Sequence, residues 1–211
     1  VALAHQVAAE VLDRGKLPLF VGGTPLYLKA LLRGLFPGPP ADWDFRREVE
    51  QEVESAGISA LFRRLEAVDP LTAARLHPHD KRRIIRALEV YKLTGRPLSH
   101  EQNQFEEQPA ANVRAFALSW PRKTLHERIE QRVDGMFAKG LVDEVKTLKR
   151  THSRLSKTAL QAVGYQEVLR HLEGGVPLEE TVERVKARTR QFARRQETWF
   201  RSLPECRAVE L

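Results

Sequence analysis

Helical periodicity fills this chain, and only three short segments read as strands: "LPLFV" at Leu17–Val21, "VRAFALSW" at Val113–Trp120 and "RAVEL" at Arg207–Leu211. The first is an apolar run that predicts a buried strand. A parallel sheet of three strands would leave unpaired edges and an exposed face. The expectation is therefore an α/β layer with further strands upstream of Val1. The opening residues agree. "VALAHQVAAEVLDRGK" begins in mid-helix, with Leu3, Val7 and Val11 beside Ala4, Ala8 and Leu12 on one stripe and Gly15 as the stop.

After LPLFV come Gly22 and Gly23, then a helix for which Thr24 fits the N-cap, Pro25 the first turn and Gly34 the stop. In α/β layers, ligands sit at the carboxyl ends of strands. The two glycines either let backbone approach such a ligand or simply make a tight turn. "FPGPPADWD" then breaks the pattern, and the chain turns helical. Helices are predicted over "DFRREVEQEVESAG", "ISALFRRLEAVDP", "PLTAARLHPHD" and "DKRRIIRALEVYKLTGRP". In the last, Asp80 is the cap, Ile84, Ile85, Leu88 and Tyr91 form the buried stripe, and Gly95 is the stop. Ser99 with Gln102, and Thr124 with Glu127, have capping-box spacing. "ALQAVGYQEVLRHLEGG" reads as one helix containing Gly164, and a long helix covers "PLEETVERVKARTRQFARRQETWFRSL". Residues 41–112 read as a helical module inserted into a core made of 1–40 and 113–211.

The 211 residues carry a net charge of +7, which suits an anionic partner such as nucleic acid or a polyphosphate. A single cysteine, Cys206, rules out an intramolecular disulfide and a cysteine-based zinc site. No apolar run approaches the roughly 18 residues of a membrane span. These features predict a cytoplasmic protein with no membrane contact. The sequence holds no G-x-x-x-x-G-K-[ST], G-x-S-x-G, H-E-x-x-H or calcium loop.

Three basic sets stand out. In "RTRQFARRQETWFR", helical spacing puts Arg190, Arg194 and Arg201 on one narrow face, with Phe192 and Trp199 nearly opposite as packing residues. Arg188 and Arg195 flank the aromatic side. Forked guanidinium donors suit phosphate, so this face reads as a phosphate or RNA contact in preference to a solvated one. Glu197 is its one acid. In "DKRRIIR", Arg82, Arg83 and Arg86 lie away from the apolar stripe, as RNA contacts or, for Arg83 or Arg86, as ion-pair partners of Glu89 or Glu101. In "ERIEQRVDGM", Arg128 and Arg132 are four apart beside Ile129 and Val133.

Five stretches in order, "LPLFVGGTPLYLKALLRGL", "DPLTAARLHPHDKRRIIRALEVYKLTGRPLS", "RIEQRVDGMFAKGLVDEVKTL", "AVGYQEVLRHLEGG" and "TRQFARRQETWFR", resemble the tRNA dimethylallyltransferase (isopentenyltransferase) family. The resemblance implies an α/β fold, helix-rich overall. Its truncated P-loop-like parallel-sheet core would carry a mostly helical inserted domain. It implies transfer of a dimethylallyl group from dimethylallyl diphosphate to N6 of the adenine 3′ of the anticodon, with Mg2+ assisting the leaving group. The partners would be a tRNA anticodon stem-loop and dimethylallyl diphosphate, and the protein a monomer. The adenine would be flipped out of its stack.

Carried over residue by residue, the resemblance makes Arg132 the residue that holds the diphosphate. It sets Thr24 near the target base and Arg46 at the start of the insert as a tRNA contact. It implies further tRNA contacts at Arg82, Arg83, Ile84, Ile85 and Arg86. Others fall at Gln161, Ala162, Val163, Gly164, Tyr165 and Gln166, and the last at Arg194, Arg195, Gln196, Glu197, Thr198, Trp199, Phe200 and Arg201. The family's glycine-rich phosphate loop and the aspartate expected to take the N6 proton find no match in this sequence. The expectation is that they precede Val1 and that these 211 residues alone are inactive. Two other readings stay open. One is an adenylate isopentenyltransferase acting on free nucleotide. The other is an RNA-binding protein without catalysis.

Overall fold

The computed structural model describes residues 1–34, 36, 38–101, 113–152 and 155–211. Gln102, the Glu101 side chain and the expected end of the insertion at 112 lie outside the described residues. Two compact units form. One comprises Val1–Val21 with Leu26–Val113, the other Gly22–Pro25 with Arg114–Leu211.

The first unit is helical: α1 (Ala2–Asp13), α2 (Pro25–Arg33, whose first residue belongs to the other unit), α3 (Trp43–Ala56), α4 (Ile58–Val68), α5 (Pro70–Arg75), α6 (Lys81–Thr94) and α7 (Leu98–Glu101). Capping chemistry fixes most boundaries. The Asp42, Asp69 and Asp80 side chains accept from the backbone N–H of Phe45, Thr72 and Arg83 and start α3, α5 and α6. Gly95, at φ 70°, takes the left-handed turn that ends α6. The core gathers Phe45 and Val49, Leu61 and Leu65, Ala73, Leu98, and five residues of α6. Burying Leu61 or Leu65 completely stabilises the fold by about 1.5–3 kcal/mol each. Tyr91, expected in the stripe, lies at its edge and stays more than one-third exposed.

Two expectations for this unit are corrected. Leu17–Val21 is irregular, with Leu17, Leu19 and Val21 each more than 80% exposed. Apolar composition does not make a strand without a ladder partner, and no described segment pairs with it. The α1 stripe exists in sequence, but no α1 residue is buried.

The second unit holds β1 (Ala115–Ser119), α8 (Arg122–Ala138), α9 (Leu141–Thr151), α10 (Lys157–Gln161), α11 (Tyr165–Leu172), α12 (Leu178–Arg201) and β2 (Cys206–Glu210). The two strands pair in parallel, with Ala115 opposite Cys206 and Ser119 opposite Glu210. The parallel pair and the excess of helix match the expected class. Salt bridges Asp134–Lys186 and Glu130–Arg190 step in opposite directions along α8 and α12, so these helices run antiparallel. Ile129 and Val133 pack on Val185 between them. Leu141, Val145 and Val168 form a neighbouring cluster, and Phe137 touches both.

Two more expectations change here. The α8 helix starts at Arg122 after Pro121, with no side-chain cap, so Thr124 falls inside the first turn. The single helix around Gly164 is two. Gly164 has φ 101°, a conformation that an L side chain rarely adopts, and it breaks the run between α10 and α11. A Cβ there would make only ordinary contact, 3.4 Å from Leu141 Cδ2, so the backbone conformation is what calls for glycine.

Candidate nucleic-acid interface

In the first unit the basic residues divide by partner. Glu89 is fully buried and collects four donors. Arg46 Nε and Nη2 each reach it at 2.8 Å, Arg86 Nη1 at 2.5 Å and the Asp42 backbone N–H at 2.8 Å. Arg86 Nη2 also donates to Pro39 O at 2.9 Å. Arg46 lies over the Trp43 ring, 5.0 Å from its centroid. Burial pushes the Glu89 carboxyl up, but the donors from Arg46 and Arg86 and the Asp42 amide outweigh it, and the group titrates below its ordinary range. The cluster ties residues 39–46 to α6. Arg82 and Arg83 are exposed on α6, and Arg83 pairs with Asp80 at 3.2 Å. Ile84 and Ile85 lie in the core, so their side chains hold α6 in place and do not face solvent.

The second unit sorts the arginines of α12. Arg188 Nη1 donates to Gln166 Oε1 at 2.8 Å and to Glu167, which also accepts from the Gly164 amide. Arg190 Nη1 meets Glu130 Oε1 at 2.7 Å. Arg190 is thus an inter-helix ion pair rather than part of an open ridge. Arg194, Arg195 and Arg201 are exposed, and none has an acidic partner among the described residues. Phe192 and Trp199 are more than one-third exposed and do not form the packing face. That face is instead the stripe Val182, Val185, Thr189, Ala193, Gln196 and Phe200, buried or half-buried throughout. Thr198 is exposed, its hydroxyl bonded to Arg194 O, while Glu197 is half-buried.

The same unit brings the glycine turn to this end of α12. Gln196 Nε2 donates to Gly23 O at 2.5 Å, and Thr24 beside it is exposed. Arg132 is exposed on α8 between the buried Ile129 and the Asp134–Lys186 bridge, with no partner among the described residues. Arg128 instead stacks on Trp120, 4.5 Å from the ring centroid. In "QAVGYQ", Gln161 and Ala162 are exposed, Val163 packs on the α8–α12 cluster and Gly164 is buried. The Tyr165 hydroxyl donates to Glu144, which pushes the phenol's titration up, and Gln166 receives Arg188.

Sequence reasoning named Glu89 only as one possible partner of Arg83 or Arg86 and missed that it also holds Arg46. The i,i+3 spacing of Arg86 and Glu89 was a visible signal. Nothing local pointed to Glu130, which stands 60 positions from Arg190. The described residues bring together no group of three or more His, Cys, Asp or Glu side chains that could hold a metal ion.

A family model for IPP transferase matches residues 1–203. This chain belongs to the IPP transferase family. Among curated members, the tRNA dimethylallyltransferase of Rhodopirellula baltica is 50% identical over 207 residues, 98% of this chain and 62% of that protein. The tRNA dimethylallyltransferase of Geobacter sulfurreducens is 45% identical over 209 residues, 98% of this chain and 67% of that one. The chain thus spans less than two thirds of the Rhodopirellula relative. Among solved IPP transferases, the tRNA isopentenylpyrophosphate transferase of Bacillus halodurans shares 39% identity. It superposes with a TM-score of 0.62, covering 99% of this chain and 65% of that one. A eukaryotic dimethylallyltransferase solved acting on tRNA gives a TM-score of 0.70 at 29% identity, over 96% of this chain and 53% of that one.

Proposed function

We propose that the protein transfers a dimethylallyl group from dimethylallyl diphosphate to N6 of the adenine 3′ of the anticodon in tRNA. The family match over residues 1–203 carries this reading. The unpaired guanidiniums of Arg194, Arg195 and Arg201 support it, because exposed forked donors without acidic partners suit an RNA backbone. In the transfer, the N6 lone pair forms a bond to C1 of the dimethylallyl group. The C1–O bond breaks, its electron pair leaves with the diphosphate, and the N6 proton passes to a base. Arg132 supplies fixed positive charge where the leaving group gains negative charge. Thr24 and the turn before it lie against the target nucleotide. Arg46, Arg82, Arg83 and Arg86 contact RNA on the first unit, with Arg46 and Arg86 oriented by Glu89. Mg2+ belongs to the proposal as a companion of the diphosphate, since this cation is usually held by substrate phosphates and few protein ligands. The protein acts as a monomer in the cytoplasm. Among the described residues no helix is long and apolar enough to cross a membrane.

The test uses the full reading frame containing these residues. It is given labelled dimethylallyl diphosphate and either an anticodon stem-loop with adenine at the target position or free AMP. Label on the stem-loop is expected. Label on AMP alone would make the protein an adenylate isopentenyltransferase. RNA binding with no label on either acceptor would leave a binding protein.

A further inference from the structure

The resemblance places Gln196 among RNA contacts, but its surroundings assign it elsewhere. On α12 it belongs to the inward stripe of Val182, Val185, Thr189, Ala193 and Phe200, while Arg194 and Arg195 beside it are exposed. Gln196 is half-buried, and its amide reaches the solvent-exposed rim of that stripe, beside the glycine turn. Its partner is Gly23 O, 173 positions away in sequence, at 2.5 Å. The fit is close from the other side too. A Cβ on Gly23 would stand 2.7 Å from the same Nε2. The turn Gly22–Pro25 groups with the second unit, although Val21 before it and Leu26 after it group with the first. The Gln196 bond is one of the contacts that join the turn to that unit.

We infer that Gln196 is a positioning residue. It pins the Gly22–Gly23–Thr24 turn to the arginine-bearing end of α12 through Gly23 O and does not itself grip the RNA. The inference rests on the transfer reading above for its effect on rate, but not for the pin itself. Thr24 then keeps a fixed place relative to Arg194 and Arg195. Loss of the pin lets the turn wander, which costs rate more than affinity.

The test compares wild-type protein with Gln196→Ala, Gln196→Glu, Gly23→Ala and the double variant Gly23→Ala with Gln196→Ala. A carboxylate cannot donate to a carbonyl, so Gln196→Glu breaks the bond without losing volume. Gly23→Ala breaks it from the other partner by displacing Nε2. In RNA-free protein, conformational exchange of the turn, read by NMR relaxation at Gly22, Gly23 and Thr24, is expected to increase in each single variant, because the turn loses a hydrogen bond whose net scale is about five- to tenfold in population. Exchange in β1 and α8 stays unchanged. The double variant adds nothing further, as expected of two residues in one interaction. Transfer to the stem-loop falls by about tenfold in kcat with Kd within about twofold. Unchanged exchange at the turn, additive effects in the double variant, or a loss confined to Kd would each overturn the assignment. Unfolding of the second unit by either Gln196 variant would overturn it too, since that is a structural role. A protein with no transfer activity would defeat the functional reading, while the exchange data still decide the pin.

Discussion

Glu89→Gln is expected to destabilise the first unit by about 3 kcal/mol, the low end for removing one partner of a buried ion pair. The low end applies because Arg46 and Arg86 keep 29% and 34% side-chain exposure, so water partly replaces the lost acceptor. Glutamine keeps the volume but turns an NH2 group toward two guanidiniums, donor against donor. Urea unfolding at pH 7 measures the loss. The pH dependence gives an independent check. Glu89 titrates below its ordinary 4.5 in the folded chain, and Asp69, which accepts from Thr72 and Ser99, below 3.8. A depressed carboxylate contributes stability that is full above its unfolded pKa and is lost as pH falls through its folded value. Wild-type stability should therefore show no loss from these groups between pH 7 and about 5, then fall below that. Glu89→Gln should fall less steeply in the acid range. An acid limb equally steep in wild type and variant would show that the cluster contributes no net stability.

Arg132→Ala is expected to cut kcat for transfer by about 10²–10³-fold, the scale of one preorganised donor to developing charge. Folding should be almost untouched, since Arg132 is exposed and makes no ion pair among the described residues, while Ile129 and Val133 carry the packing of α8. Stem-loop affinity should change by less than about threefold, because in the proposed transfer the lost charge serves the diphosphate rather than the RNA backbone. Arg132→Lys keeps the charge but not the fork, and should recover part of the rate. Single-turnover transfer with each variant measures this. An unchanged kcat would remove Arg132 from the chemistry.

What the sequence made legible was local. Asp80 marks a helix start because a carboxylate just ahead of free N–H groups has one obvious use; Asp42 and Asp69 cap in the same way, and only the structure shows it. Gly57 and Gly95 mark stops because they take positive φ. Several misreadings were non-local. Leu17–Val21 has the composition of a strand, but pairing depends on a partner that no nearby residue specifies. Gly164 looked tolerable inside a helix, but it takes φ 101°, which ends one helix and begins the next. Arg190 and Arg194 are equivalent by helical spacing. Glu130 on another helix makes one an ion pair and leaves the other open. Gln196 sat in a basic run and took that run's reading, whereas its inward position follows from the real packing stripe.

In the proposed complex, unpaired arginines at the end of α12 hold the RNA backbone while their paired neighbours hold the fold. The direct measurement is anticodon stem-loop affinity against potassium chloride concentration for wild type, Arg194→Gln and Arg190→Gln. Loss of Arg194 should weaken binding and flatten the slope of log K on log salt by about 0.7, one phosphate contact on single-stranded RNA. Loss of Arg190 should leave the slope unchanged. Equal slopes in all three proteins, or a larger loss at Arg190, would contradict the claim.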